Sequence, residues 1–377
     1  MLPLYNGVEA PEAYTVGMNA GLWYDKFCNQ WTVEYRKVQY WSMKSNSANK
    51  NPKVNWIKTV AQKSEGGVGN AKQIKEAIER QLTLVDSLSG CWQVMQTEWR
   101  FVTGLGRNHP VENGFAWHST LGVPFLPGSS VKGLVRAWAD SWQKQENSEQ
   151  NERIFGQVGS AGSVIFFDAL PLKTVKLQCD VMTPHYTDYY QDTSGKKSPA
   201  DWYSPNPIPF LTVTKEQPFL FAVAPRFPKN EDSRNDAGQV IHWLTEALEW
   251  IGAGAKTAAG YGRFIHDDKK DREWNIWLKA RQEKAKQAKQ QEARAQMSPV
   301  RREMEDDGYS GNVDLFMAAL TKKWLSRLDE EPQEKTRQEI AILLAEWYQV
   351  NKPDQWKKPK GKNEEKVKKI KKYRLKD

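Results

Sequence analysis

The sequence is poor in cysteine and histidine. Its 377 residues include only 3 Cys and 5 His. Cys28, Cys91 and Cys179 are widely separated, and such an odd, scattered set forms neither a disulfide framework nor a Cys-x-x-Cys metal motif. An HExxH motif and a Cys/His cluster are also absent. The composition therefore predicts no metal site and no cofactor, and it is typical of a reducing compartment.

Long apolar runs are lacking as well. No stretch approaches the roughly eighteen consecutive apolar residues that a membrane-spanning helix needs. The N-terminus does not show a basic segment followed by an apolar one, which is the pattern of a secretory signal. We therefore expect a soluble, cytoplasmic protein that makes no membrane contact.

The positive charge is concentrated at one end of the chain. The formal net charge is +9. Residues 352–377 contain twelve Lys or Arg and four Asp or Glu, a net charge of +8, which leaves +1 for all other residues. The main body is thus nearly neutral, and a nucleic-acid site there requires a local basic patch.

The first informative stretch is HPVENGFAWHSTLGVPFLPGSSVKGLVR, residues 109–136. Pro127 and Gly128 predict a turn, and Ser129 or Ser130 is expected to cap a helix that begins at Val131. Lys132 and Arg136 lie four residues apart and share one flank of that helix. A helix N-terminus with two adjacent cations is suited to a phosphodiester group, although a capped helix with solvated charges has the same pattern.

The second stretch is IGAGAKTAAGYGRF, residues 251–264. It is not a P-loop, because Ala255 stands where glycine should precede the lysine and because the element order is helix, loop, strand. A dinucleotide-binding loop is excluded too, since Thr257 replaces its third glycine. Small residues here can take positive φ and offer N–H groups to phosphates, while Lys256 adds charge. Tyr261 is expected either to stack on a base or to pack in the core.

These two stretches resemble the RAMP proteins of CRISPR systems. The matching residues are GSSVKGLVR at 128–136, for the G-x-x-[IV]-K-G-x-[IVL]-R helix start, and GYGR at 260–263, for the glycine-rich loop. Four further segments are similar to the sixth RAMP subunit of type III-B (Cmr) effector complexes: NAGLWYDKF at 19–27, HPVENGFAWHSTLGVPFLPGSSVKG from 109, DVMTPHY at 180–186 and GAGAKT at 252–257. The resemblance covers roughly residues 1–267.

Residue patterns and the resemblance agree on the fold class. Apolar patterns predict an α+β fold with a ferredoxin-like or RRM-like βαββαβ order, carrying insertions and an α-helical C-terminal extension. The predicted core elements are strand 91–102, helix 131–144, strands 163–170 and 217–224, helix 237–251 and strand 258–265.

We expect three regions along the chain. Residues 1–90 form an aromatic-rich segment and a helix packed on the core, residues 91–267 form the RAMP core with an irregular insertion at 177–210, and residues 268–377 form a helical extension. The lysine-rich tail from Pro353 is expected to be disordered when free.

The resemblance implies a non-catalytic RNA-binding subunit of a type III-B CRISPR ribonucleoprotein in antiviral defence. Its implied partners are the 3′ region of the guide (CRISPR) RNA, the target RNA, the RAMP backbone subunits whose filament it caps, and the small helical subunits. The candidate RNA-binding residues are Arg107, His118, Gly128, Ser129, Ser130, Lys132, Arg136, His185, Gly252, Gly254, Lys256, Thr257, Gly260, Tyr261 and Arg263.

Two alternatives remain open from the sequence. One is a metal-independent endoribonuclease that processes CRISPR RNA, with His118 or His185 as general base. His109 and the acidic residues Asp180, Asp188, Asp192 and Asp201 are further candidates for that chemistry. The other alternative is a structural adaptor without RNA contact, which binds its partners through the aromatic N-terminus and the C-terminal helices.

Overall fold

The computed structural model describes residues 14–15, 17–28, 31–33, 41–43, 52–62, 66–142, 148–200, 202 and 205–374. The composition of residues 44–70 predicts a lysine-rich loop, which either contacts phosphates through Lys44, Lys50, Lys53 and Lys58 or is simply solvated. Lys44, Lys50 and the nuclease candidate Asp201 lie outside the described residues. The described strands are β1 (Trp31–Val33), β2 (Trp41–Met43), β3 (Cys91–Thr97), β4 (Gly156–Gln157), β5 (Ser160–Ala161), β6 (Val164–Phe166), β7 (Leu170–Pro171), β8 (Leu177–Met182), β9 (Ile208–Val213), β10 (Pro218–Pro225) and β11 (Phe264–His266).

The helices are distributed along the whole of the described chain. They are α1 (Ala20–Lys26), α2 (Pro52–Gln62), α3 (Ala71–Ser87), α4 (Gly128–Trp142), α5 (Ser148–Phe155), α6 (Thr187–Tyr190), α7 (Glu231–Trp250), α8 (Asp268–Gln296), α9 (Pro299–Asp306), α10 (Val313–Ala319), α11 (Leu325–Glu330), α12 (Glu334–Asn351), α13 (Pro353–Lys357) and α14 (Lys362–Tyr373).

The main sheet has β3 and β10 at its centre. β11 pairs with β3, β6 and β7 pair with β10, and every pairing is antiparallel. Leu220 on β10 lies opposite Val94 on β3, which sets the central register. All eight residues of β10 are buried, and both α3 and α7 contact it. The molecule is therefore an α+β protein with antiparallel sheets, built around an apolar central strand.

Several predicted strands are shorter than their apolar patterns suggested. The strand expected at 91–102 ends at Thr97, and Phe101 instead makes an isolated bridge to Val213. The strand expected at 163–170 is divided into β6 and β7, and the closing strand begins only at Phe264. Apolar patterns report burial, whereas a ladder also requires a neighbouring strand in register.

The predicted irregular insertion at 177–210 is wrong at both ends. β8 and β9 form a six-pair antiparallel ladder, in which Asp180 lies opposite Phe210. We refer to β8, β9 and the connection between them, residues 177–213, as the hairpin. α6 is the single helix described in that connection.

Helix predictions agree more closely with the structure. α3 buries Ile74, Ile78, Leu82 and Val85 at helical spacing, and the Asn70 side chain caps its N-terminus. α7 begins six residues before its predicted start because Asn230 provides an earlier cap.

The N-terminal region departs from two predictions. The four-residue spacing of Trp23, Phe27 and Trp31 predicts a short helix with one aromatic face, but α1 ends at Lys26 and Trp31 belongs to β1. Trp23 and Phe27 do stack, with ring centroids 5.3 Å apart. The lysine-rich segment predicted as a loop contains helix α2.

The chain divides into two compact units, Met1–Leu278 and Lys279–Asp377. The second unit has its own apolar core, which includes Phe316, Trp324 and Trp347. The prediction of a disordered tail is wrong, because α13 and α14 are helical and bury Trp356 and other apolar side chains in this core.

Candidate nucleic-acid interface

Helix α4 begins three residues earlier than its serines suggested. Gly128 is its first residue, and the Gly128 N–H donates to the Asp168 carboxylate at 2.7 Å. The prediction that Ser129 or Ser130 caps a helix beginning at Val131 is therefore wrong. The two serines are exposed, and the first N–H group of the helix is already bound to an anion from within the chain.

Close packing explains the glycine at this helix start. A Cβ on Gly128 would lie 2.4 Å from the Phe166 carbonyl oxygen on β6. Any larger residue would push α4 away from the sheet. Lys132 is half-buried, whereas Arg136 is exposed and lies 3.7 Å from Asp140 on the next turn.

His118 lies beside the helix start and is held by its own turn. The Leu121 N–H donates to Nδ1 at 3.3 Å, so the proton of the neutral ring is on Nε2. The ring packs edge-on against Phe125. Burial lowers the pKa of His118, and the nearby Asp168 carboxylate opposes this only in part. His118 is thus a neutral hydrogen-bond donor at neutral pH.

The glycine-rich loop has the predicted left-handed backbone. φ is 72° at Gly252, 86° at Gly254, 88° at Gly260 and 75° at Gly262. Lys256 has φ 61° as well, which is uncommon for a residue with a Cβ.

Three of these glycines, Gly252, Gly254 and Gly262, also allow close backbone contacts, and the contacts at the last two are the tightest. A Cβ on Gly262 would lie 1.9 Å from the Ala253 oxygen, and one on Gly254 would lie 2.1 Å from the Val102 oxygen. Gly260 differs, because an added Cβ there would meet nothing within 4 Å. The loop is therefore a tightly packed joint between α7 and β11.

Only some of the loop N–H groups are used in internal hydrogen bonds. Those of Gly252 and Gly262 donate to backbone carbonyls at 2.9 Å and 2.8 Å. Among the described residues, the N–H groups of Gly254, Lys256 and Thr257 have no hydrogen-bond partner. Successive N–H groups around left-handed residues form a concave anion-binding surface.

Tyr261 joins the loop to the hairpin. Its hydroxyl donates to Asp180 at 2.6 Å, and its ring packs edge-on against Phe210. Arg100 donates to the same Asp180 oxygen. Burial raises the pKa of Asp180, but the hydrogen bonds from Tyr261, Val181 and Arg100 outweigh it and hold that pKa below its usual range. Tyr261 and Asp180 thus stabilise the base of the hairpin.

The short segment from Arg100 to Thr103 links the two candidate stretches. On one side it accepts hydrogen bonds from the loop, where Gly262 donates to Arg100 and Ala255 to Val102. On its other side, the Thr103 hydroxyl donates to the Phe125 carbonyl, just before α4. This connection was not visible in the sequence, because it depends on contacts between distant positions.

Trp99 is a further candidate residue that no sequence motif indicates. It is 48% exposed, although Thr97 and Phe101, two residues away on either side, are buried. The neighbouring Glu98 N–H donates to the Arg263 carbonyl, which brings Trp99 next to the end of the glycine-rich loop. The Arg100 guanidinium lies 5.0 Å from the Trp99 ring centroid.

The remaining candidate residues have diverse surroundings. Arg107, His185 and Arg263 are exposed, and Thr257 is half-buried. The Lys256 ammonium lies 5.8 Å from the Phe210 ring centroid.

His109 is a core residue. It is stacked on Tyr24 at 4.3 Å, the Val111 N–H donates to Nδ1, and Nε2 donates to the Tyr24 carbonyl at 2.9 Å. Burial lowers the pKa of His109 to about 4. Within the described part of the chain, no three His, Cys, Asp or Glu side chains are grouped to hold a metal ion. None of the described helices is long and apolar enough to cross a membrane.

A family model described as "RAMPs: RAMP superfamily" matches residues 67–265. That range contains the helix start, the glycine-rich loop and the hairpin. The CRISPR system Cmr subunit Cmr6 of Pyrococcus furiosus is 31% identical, and the match covers 48% of this chain and 69% of that protein. The Cmr6 subunit of Saccharolobus solfataricus is 29% identical, over 41% of this chain and 48% of that protein.

Two solved structures are also similar. A cryo-EM structure of the type III-B Cmr-beta complex bound to cognate target RNA contains a chain 24% identical to this one, with a TM-score of 0.46; the match covers 60% of this chain and 77% of that chain. The crystal structure of Cmr6 from Pyrococcus furiosus is 28% identical with a TM-score of 0.31, over 47% of this chain and 97% of that chain. From the family match and the curated relatives, the chain belongs to the RAMP superfamily, among the Cmr6 subunits of type III-B CRISPR systems.

Proposed function

We propose that this chain is the RNA-binding Cmr6-type subunit of a type III-B effector, and that it holds guide RNA through the glycine-rich loop. The observation that carries the proposal is the group of three N–H donors at Gly254, Lys256 and Thr257. They lie in a left-handed loop that also carries the Lys256 ammonium and is followed by Arg263. Backbone donors and cations contact phosphate without reading base sequence.

A base-stacking surface lies beside these donors. Trp99 exposes its indole next to Arg263, and an exposed aromatic face stacks on any base. We assign Trp99 to a nucleotide adjacent to the phosphate that the loop holds.

Helix α4 supplies a weaker second contact. Asp168 already binds the first N–H group of the helix, so the helix terminus offers less to a phosphate than a free one would. Lys132 and Arg136 remain one turn further along, with His118 as a neutral donor at its side. These side chains contact the RNA backbone in our proposal.

We also propose a ferredoxin-like βαββαβ fold for the main sheet and its helices. The sheet order β11-β3-β10-β6 with α4 and α7 as crossovers supports the ferredoxin-like βαββαβ arrangement, in which the fourth strand lies beside the first and the third beside the second.

Family membership supports the proposed partners. In this role the chain caps the filament of RAMP backbone subunits, contacts the small helical subunits and holds the 3′ region of the guide RNA. Asp180 connects the hairpin to the glycine-rich loop. We assign to the hairpin the contact with the guide–target duplex.

We propose that the subunit is not catalytic. A general base needs an accessible nitrogen near the attacking group. His109 is enclosed by the core, and His118 Nδ1 already accepts a backbone hydrogen bond. Asp180 is committed to Arg100 and Tyr261.

The test is RNA retention by the assembled complex. The tagged chain is purified from its host with Lys132→Ala and Lys256→Gly together; glycine suits the backbone at 256, where φ is 61°. The matched control replaces Lys215 and Lys229, which are exposed elsewhere in the same unit, by alanine. We expect the first pair to lower co-purifying guide RNA about tenfold or more, and the control to leave it unchanged.

Each other outcome has a defined meaning. Equal guide RNA in wild type and both variants would contradict the proposal and favour the structural adaptor. Cleavage of repeat RNA by the isolated wild-type chain in EDTA, abolished by His118→Ala or by His185→Ala, would favour the processing nuclease.

A further inference from the structure

Most of the net positive charge of the chain lies in the segment that contains its last two described helices, α13 and α14. Residues 352–374 contain eleven Lys or Arg and three Asp or Glu. This region lies outside residues 67–265, which the RAMP family model matches. The charge is therefore a feature of the second unit.

These cations are displayed on an ordered surface. Trp356 on α13 and Val367 and Ile370 on α14 are buried in the core of the second unit. Lysines between these anchors, including Lys357, Lys358, Lys360 and Lys368, are exposed, and their backbone is already fixed before any ligand binds. Such preorganisation lowers the entropic cost of binding a polyanion.

A groove lies along α13 and the start of α14. Its volume is about 590 Å³. The Asn363 side-chain N–H donates to Gln355 Oε1 at 2.9 Å, which fixes two amides at its wall. The groove is lined by Asp354, Gln355, Lys357, Lys358, Lys360 and Asn363.

The groove lysines are exposed and carry uncompensated charge. Lys357, Lys358 and Lys360 form no ion pair with any described residue. Of these eleven Lys and Arg side chains, only Lys369 forms an ion pair with a described residue, Asp329. Burial and the positive charge of Lys362 lower the pKa of Lys366, which is consistent with a positive local potential.

The chemistry of the surface favours nucleic acid over protein. No large apolar side chain is exposed between residues 352 and 374 of the described chain. Protein interfaces are depleted in lysine and have apolar or aromatic centres. Lysines interspersed with amides are typical of contacts to phosphate oxygens.

We propose that the surface formed by α13 and α14, here called the basic surface, binds the phosphodiester backbone of RNA. This site is additional to the glycine-rich loop and does not depend on it. Binding requires only charge and amide donors, so base sequence has no influence. The family match stops well before this site, so it is a property of the extension.

The experiment measures the affinity of the full-length chain for a labelled single-stranded RNA at several salt concentrations. The variant carries Lys357→Gln, Lys358→Gln and Lys360→Gln. The matched control carries Lys284→Gln, Lys286→Gln and Lys289→Gln on the exposed part of α8, with the same change in net charge. All six side chains are exposed, so both variants are expected to fold.

We expect the groove variant to bind RNA about tenfold more weakly near physiological salt. The slope of log affinity against log salt should fall by about 2, because each lost phosphate contact removes about 0.7 for a single strand. The control should retain the wild-type slope. Two RNAs of unrelated sequence, and DNA of the same sequence, should show similar losses, since the backbone is what is bound.

Two results would overturn the inference. They are equal losses of RNA affinity in both variants, which would indicate an effect of net charge alone, and no loss of RNA affinity in the groove variant. The loop variant Lys132→Ala with Lys256→Gly is measured in parallel. Loss of binding there but not in the groove variant would contradict only the inference about the basic surface, and the reverse would contradict only the loop as the guide RNA site.

Discussion

The imidazole of His109 is enclosed by the core of the first unit. Its ring is stacked on Tyr24, and both nitrogens have backbone partners. Asp25 is the nearest carboxylate, 3.8 Å from Nε2. That charge would favour protonation, but burial lowers the pKa of His109 to about 4.

This lowered pKa predicts an acid-sensitive fold. The unfolded chain binds a proton on His109 near the ordinary pKa of 6.5, whereas the folded chain binds it only near 4. The free energy of unfolding should therefore be highest above pH 6.5 and fall by up to about 3 kcal/mol as the pH drops towards 4. Denaturant titrations of wild type and His109→Gln check this.

The control for this prediction is His242→Gln, since His242 is an exposed residue on α7. It should retain the wild-type pH dependence, whereas His109→Gln should flatten it. An unchanged slope in His109→Gln would show that other groups cause the acid sensitivity.

Gly262 and Gly260 allow two effects to be measured separately: the backbone cost of a positive φ and the steric clash of an added Cβ. Both have positive φ, but only at Gly262 would an added Cβ strike backbone, the Ala253 oxygen at 1.9 Å. We expect Gly260→Ala to destabilise the protein by about 1 kcal/mol, which is the backbone cost alone. Gly262→Ala should cost clearly more, about 3 kcal/mol, because the loop must also move. Thermal denaturation of both variants tests this, and equal losses would contradict the steric argument.

At the scale of elements, α4 depends on a carboxylate from a distant segment. Asp168 accepts the Gly128 N–H, and a negative charge at a helix N-terminus is stabilising. We expect Asp168→Ala to lower stability by about 1–2 kcal/mol. The same change should tighten RNA binding, since it exposes an N–H group and removes a negative charge.

The control for this prediction is Glu76→Ala, which removes an exposed carboxylate from α3, away from the proposed RNA contacts. It should leave stability nearly unchanged. RNA affinity measured by fluorescence anisotropy distinguishes the two: an equal gain in both variants would mean that net charge, and not the helix terminus, is responsible.

The elements also show what the sequence could predict. α3 and α7 were predictable, because their apolar residues recur at helical spacing and asparagines cap their starts. β10 was predictable from its apolar run. The true start of α4 was not, because its cap comes from Asp168, forty positions away in the chain. The lysine-rich tail was wrongly predicted to be disordered, because Val367 and Ile370 are few apolar residues among many lysines. They are enough to hold α14 in place only because other helices build the core in which they are buried.

The candidate site was predictable to a similar degree. The glycine pattern indicated the left-handed loop. It could not indicate which N–H groups are used internally, or that Tyr261 would be bound to Asp180, since these depend on the hairpin and on Arg100. Trp99 became a candidate only through its exposure.

At the scale of the whole molecule, each compact unit has its own apolar core. We therefore expect two transitions in calorimetric unfolding. Trp347→Ala, in the core of the second unit, should lower one transition, and Trp243→Ala, in the core of the first, should lower the other. Each substitution should cost about 3–5 kcal/mol within its own unit. A single transition that both variants shift together would contradict separate unfolding.

The Arg100–Asp180–Tyr261 cluster has a consequence for protein engineering. It secures the hairpin at its base, between β8, the loop and the segment after β3. Beyond that point lies the long connection between β8 and β9, whose described residues include one short helix, α6. Its length can therefore be altered, or a fluorescent tag inserted near Gly195 where added atoms meet open space, without disturbing the glycine-rich loop.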